Sequence, residues 1–417
     1  MSSSRYDAII IGAGAAGLTA ARYLQEYNLN TLVLEKGDRV GGRLRTDEFR
    51  GYRMDHGFQV LLTAYPMAQK YLDLEALKLH YFDAGAICFN QARKFTVKDT
   101  KRHPKALPMM ALSPVGSLMD KIRLGNLRAR VQRKSLEDIF NGPETSTRDY
   151  LKALGFSNRI IERFFQPFYS GIFLEPHLET SSRMFEFVFK MMSEGEVALP
   201  EKGMESIAHQ LKEQLVKTDF RFQAEVQRVE PQQVELKNGE VLHAQQIIMA
   251  CDAPALLPQM EQGIGWNSTA QFYFSAEKSP FGKPLIALAY GDKPLINSLA
   301  VLSDVAASYA PAHRSILQVT LHEQPQQAEE EVIRQIRNEL TPLLGAQVEE
   351  WTFLRSFQVK KALPKLTDLQ NEVPFEQTRV MDGLYQAGDH LLNPSLNGAM
   401  QSGELAARAL VLNHVNT

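Results

Sequence analysis

The pattern opens on an unbroken apolar run, Ala8-Ile-Ile-Ile11 behind Tyr6 and Asp7, which predicts a strand buried on both faces as in a parallel sheet. Ala15 to Glu26 then sets Leu18, Ala21 and Leu24 on one face at helical spacing, predicting an amphipathic helix. Thr31 to Leu34 predicts a second strand. Farther along, Phe220 to Cys251 breaks into short strand-like runs with a hairpin turn at Asn238-Gly239, and Ile247 to Asp252 closes a strand. Strand patterns also cover Gln271 to Phe274, Ile316 to Leu321, Trp351 to Phe357 and Gly383 to Ala387, the last followed by a small-residue helix reaching about Leu410. Seven of the 22 phenylalanines fall between Phe164 and Phe189, where Met184, Val188 and Met191 recur at helical spacing. That stripe is expected mainly as core, with some side chains lining a dry pocket. Leu107 to Val131 mixes apolar residues with Lys121, Arg123, Arg128 and Arg130 without a clean face. Domain packing is expected there ahead of an interfacial patch.

Between the first strand and helix lies Gly12-Ala-Gly14-Ala15-Ala16-Gly17. Gly12 permits the tight turn, Gly14 lets backbone N–H groups of the helix N-terminus, around Ala15 and Ala16, approach a pyrophosphate, and Gly17 lets helix and strand pack closely. The second strand ends at Glu35, 21 positions after Gly14, where a carboxylate accepts hydrogen bonds from ribose hydroxyls and repels a 2′-phosphate. Strand, turn, helix and acid together point to a dinucleotide.

Glu35-Lys36-Gly-Asp-Arg-Val-Gly41-Gly42-Arg43-Leu-Arg45-Thr46 resembles the G-G-R-x-x-T element of the flavin amine oxidase, phytoene desaturase and protoporphyrinogen oxidase superfamily. Gly388-Asp389 with Asn397-Gly398-Ala399-Met-Gln-Ser402-Gly403 resembles its C-terminal flavin element, and Asp55-His56-Gly57-Phe58-Gln59 its D-x-G segment. The resemblance implies noncovalent FAD, because no cysteine follows Cys251 to match the covalent attachment of some members. It implies cofactor contacts at Lys36 and Phe58, at Gly42 and Arg43 near the diphosphate, and at Gly57 and Gln59 near the ring. Val226 would meet the adenine through its main chain, Asp389 the ribitol, and Asn397, Gly398 and Ala399 would offer helix-terminal donors to the reduced ring. His56 reads as a satisfied loop histidine, with proton carriage as the alternative. Lys360 and Lys361 read as solvated surface lysines rather than holders of a water beside the flavin. The segment Arg355 to Pro364 loosely resembles R-W-x-x-A-x-P but lacks the tryptophan.

The implied fold is α/β: a Rossmann-like FAD-binding domain of the glutathione-reductase-like type, with an interleaved substrate domain of helices plus a mixed or antiparallel sheet. The cofactor domain is expected over 1–79, 215–265 and 376–417, the substrate domain over 80–214 and 266–375. Composition narrows the chemistry. The 46 basic and 48 acidic residues leave no global charge for nucleic acid, and the two cysteines, Cys88 and Cys251, write neither a disulfide framework nor a zinc site. With no signal peptide pattern and no long apolar run, the expectation is a cytoplasmic protein with at most peripheral membrane contact.

The favoured expectation is an FAD-dependent desaturase or dehydrogenase, taking a hydride from a small apolar or isoprenoid-like substrate and passing electrons to oxygen or a quinone. No catalytic or metal-ligating residue is singled out, since the flavin carries the difficult chemistry. An amine oxidase, a protoporphyrinogen-oxidase-like enzyme, a redox-neutral isomerase and a non-catalytic prenyl-binding escort protein are the alternatives.

Overall fold

The computed structural model describes residues 6–251, 256–257 and 264–415. Apolar runs without alternation become central parallel strands. Tyr6–Ile11 lies between Thr31–Leu34 and Val241–Met249, all parallel, with Thr218–Arg221 and Leu384–Gln386 extending the parallel array on the two sides. Val241–Met249 is shared between two layers of pairing: its first residues close an antiparallel meander with Gln233–Leu236 and Val226–Glu230. The strand ends at Met249, so Cys251 falls beyond it, and Asp252 lies outside the described residues.

Two helices cover one face of this sheet. Ala15–Glu26 and Leu396–Val415 pack against each other through small residues. Gly17 sits so close to the turn that a Cβ there would lie 2.0 Å from the Gly12 carbonyl oxygen. Its glycine is thus a packing requirement, as the spacing predicts.

A second, mixed sheet of seven strands draws on Gly85–Phe89 and Lys94–Lys98 from one stretch of chain and five strands between Trp266 and Pro364 from another. All of its pairings are antiparallel except Gly85–Phe89 beside Ile286–Ala289. Helices between residues 104 and 194 stand over it, and the phenylalanine-rich stretch forms their core: Phe165, Phe185 and Phe187 are fully buried. Tyr169 joins this cluster, its ring tilted 50° to that of Phe185 at 4.7 Å between centroids.

The stretch from Leu107 to Val131 departs from the packing expectation. It forms helices Leu107–Leu112 and Leu118–Arg133, of which only Met110, Leu127 and Val131 bury apolar side chains. Leu107, Met109, Leu112, Leu118, Met119 and Ile122 are exposed. No neighbouring element covers these helices on that side among the described residues, which a pattern without a clean face cannot reveal. No described helix is long and apolar enough to cross a membrane.

Candidate functional site

The ends of the parallel strands open onto one cavity of about 1330 Å³, larger than the roughly 300–1,000 Å³ usual for a small-molecule site. Gly12, Gly14, Ala15, Ala16, Glu35 and Lys36 line its first end. Gly14 takes the N-cap position of Ala15–Glu26 with no side-chain cap, so the first-turn N–H groups have no side-chain acceptor. The loop carrying Gly41 and Gly42 closes over this turn, bridging at Gly14 and Gly41. Gly42 has φ +59°, and a Cβ on it would press 3.2 Å from the Gly14 Cα. By contrast, a Cβ on Gly14 would meet nothing nearer than 4.0 Å. A side chain at Gly14 would therefore occupy the cradle that an approaching diphosphate needs.

Glu35 is preorganised by the backbone. Its Oε2 accepts from the Ala13 N–H and its Oε1 from the Gly37 N–H, each at 2.8 Å. The carboxylate is thereby fixed at the cavity wall with lone pairs still available for hydroxyl donors. Uncapped helix, open glycine cradle and fixed carboxylate together fit the diphosphate and ribose of FAD.

Arg43 reaches across the cavity to the other end of the chain. Its guanidinium makes a bidentate pair with Asp389, at 2.6 and 2.7 Å, and donates to the Ala362 carbonyl at 3.0 Å. The 3₁₀ turn Asp389–Leu391 and the start of Leu396–Val415 bring Gly388, Asp389 and Ala399 to the wall. Gly57, Phe58 and Gln59 line it between these ends, where Gln59 Nε2 donates to the Arg43 and His56 carbonyls.

Four of the residues expected at the site do not line the cavity. Gly17 packs beneath the turn, the role its spacing predicts. Val226 is buried in the meander strand, paired with Leu236. Asn397 is buried and its Oδ1 accepts from the Met67 N–H at 3.0 Å, while the Gly398 N–H donates to Ser395 Oγ at 2.9 Å. The helix-terminal donors of Leu396–Val415 are thus partly committed within the protein.

Sequence reasoning missed the far wall. Asp83, Lys98, Asp99, Arg102, Arg128 and Glu196 form an ion-paired rim, with Arg128 2.7 Å from Asp99 and Lys98 paired to Asp83. These residues come from separate segments and carry no shared motif. Trp266 also lines the cavity, in register with Pro364 on the next strand, with Arg43 and Lys361 5.6 and 5.8 Å from its ring. Lys361, expected as a surface lysine, is exposed and also lines the cavity. Met184 and Val188, though buried, also form part of the wall.

His56 is held in place: its Nε2 lies 3.0 Å from Asp47 Oδ2 and its ring packs 4.1 Å from that of Phe357. Burial works against the Asp47 charge, but its bonds to His56 and Arg39 hold the carboxyl below the usual carboxylate range.

The neighbouring Asp55 is fully buried and ties the cofactor segment to the mixed sheet. Its carboxylate accepts from Thr46 Oγ1 at 2.5 Å, the Met204 N–H at 3.0 Å and the Tyr309 hydroxyl at 3.0 Å, while Tyr273 donates to its carbonyl at 2.7 Å. Burial, with a smaller repulsion from Glu205, pushes its pKa up to about 6 despite those donors. A folded-state pKa raised above the unfolded value contributes stability at low pH that is lost as pH rises from about 4 through about 6. Apoprotein stability is therefore expected to fall on the order of 3 kcal/mol from this group between acid and neutral pH. Asp55→Asn should flatten that slope in urea melts at pH 4.5 and 7; an unchanged slope would exclude Asp55 as its source.

An oxidoreductase from Methanosarcina mazei superposes with TM-score 0.74 at 15% identity, covering 98% of this chain and 100% of that one. Putrescine oxidase bound to putrescine superposes with TM-score 0.74 at 16% identity, covering 98% and 99%. An L-amino-acid oxidase from Demansia vestigiata is 29% identical over 153 residues, 34% of this chain and 30% of that protein. The chain thus aligns with under a third of that curated relative. The family model for flavin-containing amine oxidoreductases matches residues 15–411, and the chain belongs to that FAD-binding family.

Proposed function

We propose that the protein is an FAD-dependent dehydrogenase or desaturase that removes a hydride from a small apolar, isoprenoid-like substrate. The observation that carries this reading is the wall beyond the cofactor turns, where Phe164, Phe168, Ile172, Val188, Phe189 and Met192 face the cavity. Such a wall holds an apolar molecule by burial and keeps water from the reacting carbon. Bound FAD supplies the hydride acceptor, so the chain needs few acids or bases of its own. The first turn of Ala15–Glu26 would hold the diphosphate, Glu35 the ribose, and Gly57 to Gln59 the ring edge. Arg43 and Asp389 would brace the site from opposite ends of the chain. The division into a cofactor domain (1–79, 215–265, 376–417) and a substrate domain (80–214, 266–375) assigns the glycine turns to one and the apolar wall to the other. Oxygen or a quinone would accept the electrons.

Family membership favours a second reading, oxidation of a primary or secondary amine. The two separate in one experiment. The purified flavoprotein is mixed anaerobically with polyprenes, porphyrinogens and amines while the visible flavin absorbance is followed. Bleaching by an apolar polyene or porphyrinogen is the expected result; bleaching by amines alone would replace the first reading with the second. Protein that is colourless and takes up no added FAD would refute both.

A further inference from the structure

We propose that helix Leu107–Leu112 and the first turns of Leu118–Arg133 form a docking surface for an anionic lipid bilayer, against which the cavity opens. Among the described residues, eleven large apolar side chains are exposed, and six of them fall within positions 107–122. They are not scattered, which is the ordinary condition of surface apolar residues. Leu112 is 87% exposed and Leu118 65%, so they protrude rather than fill a groove.

The patch is also the rim of the cavity. Leu107, Leu118 and Ile122 are each more than half exposed yet line the same cavity as the cofactor turns. Helix Leu107–Leu112 forms a thin wall there: Met110 faces the main cavity, while Met109 and Leu112 line a neighbouring groove with Lys94 and Lys283. An apolar molecule leaving the acyl region of a bilayer could pass along this rim without crossing water. That route inward rests on the apolar-substrate reading; the docking surface itself does not.

Charge selects the partner. Over 101–133 the chain carries eight lysines and arginines against one acid, Asp120, whose side chain is buried, although the whole chain nets −2. Arg102, Arg128 and Arg130 are paired with Asp99, Glu196 or Glu186. Lys101, Lys105 and Lys121 pair with no carboxylate among the described residues, and Lys121 instead donates to the Ala111 and Ser113 carbonyls between the two helices. Protruding apolar side chains ringed by uncompensated cations match an anionic interface, where apolar burial and headgroup attraction add. A second copy of this chain would bring the same cations face to face.

The test uses the full-length flavoprotein and sedimentation with vesicles of phosphatidylcholine, alone or with phosphatidylglycerol. Partition at least tenfold stronger onto phosphatidylglycerol vesicles, weakening as salt is added, is expected. Leu112→Glu combined with Met119→Glu should reduce partition at least tenfold, with unchanged melting temperature and flavin content because both side chains are exposed. Lys105→Ala should weaken it about fivefold. Absence of vesicle binding, equal binding to both vesicle types, or a double variant that binds like wild type would overturn the proposal. A dimer abolished by the double variant, without vesicle binding, would overturn it in favour of self-association. Because sedimentation needs no turnover and flavin bleaching needs no vesicles, either proposal can fail while the other stands.

Discussion

Gly403→Ala is expected to cost about 3 kcal/mol or more of stability and to leave the purified protein largely without flavin. The reason is local and severe. Gly403 lies on Leu396–Val415 where it crosses Ala15–Glu26, and a Cβ there would stand 2.1 Å from the Ala16 carbonyl oxygen and 2.9 Å from its carbon. Those are backbone atoms in the first turn of the helix that faces the cofactor cavity, so no side-chain rotation relieves the contact. Relief requires the two helices to separate, and that separation moves the N–H groups around Gly14 that would meet the diphosphate. Gly125→Ala supplies the control, since a Cβ there meets nothing within 4 Å in the middle of a helix. It should be neutral or stabilising by about 0.5–1 kcal/mol. Thermal melting and flavin absorbance read both variants, and a Gly403→Ala protein with wild-type melting and full flavin would show that the helices can part at little cost.

Arg43→Ala is expected to lower apoprotein stability by about 2 kcal/mol and to weaken FAD binding at least tenfold. Asp389 is only 4% exposed and depends on Arg43 for both of its carboxylate bonds to the cation. Removing one member of a buried pair usually costs about 3–5 kcal/mol, because the survivor keeps an uncompensated charge. Arg43 is 39% exposed on the cavity side, so solvent screening lowers that figure here. Arg43→Lys restores a charge without the planar fork and should fall between wild type and alanine. Adding Asp389→Asn to Arg43→Ala should recover stability, since no buried charge is then left alone, while FAD binding stays weak. Titration of the apoproteins with FAD, beside urea melts, separates the two effects. Equal stability of Arg43→Ala and wild type would mean that water already compensates Asp389.

Much of the cofactor half was legible from local pattern. Uninterrupted apolar runs specify strands buried on both faces, and Gly12, Gly14 and Gly17 specify a turn that side chains would obstruct; both are properties of a few adjacent residues. The match of Ala15–Glu26 to its expected bounds follows from the same periodicity. Val226, Asn397 and Gly398 were harder, because their side chains or N–H groups could serve packing or a ligand equally well. Nothing in the sequence says that the Met67 N–H will be waiting for Asn397 Oδ1.

What the sequence alone determined was the family, through short motifs that each record a local backbone requirement, and the strand–turn–helix at Gly12 to Gly17, whose glycines act on neighbouring backbone. Only the tertiary structure decided that Arg43 would clasp Asp389 across 346 positions, that Asp55 would be buried against Tyr273 and Tyr309, and that six large apolar side chains of 107–122 would remain in solvent. The physical reason is common to all three. An apolar side chain becomes core, pocket or surface, and a charge becomes paired or stranded, according to which distant segment arrives beside it. Local periodicity records only what a residue offers.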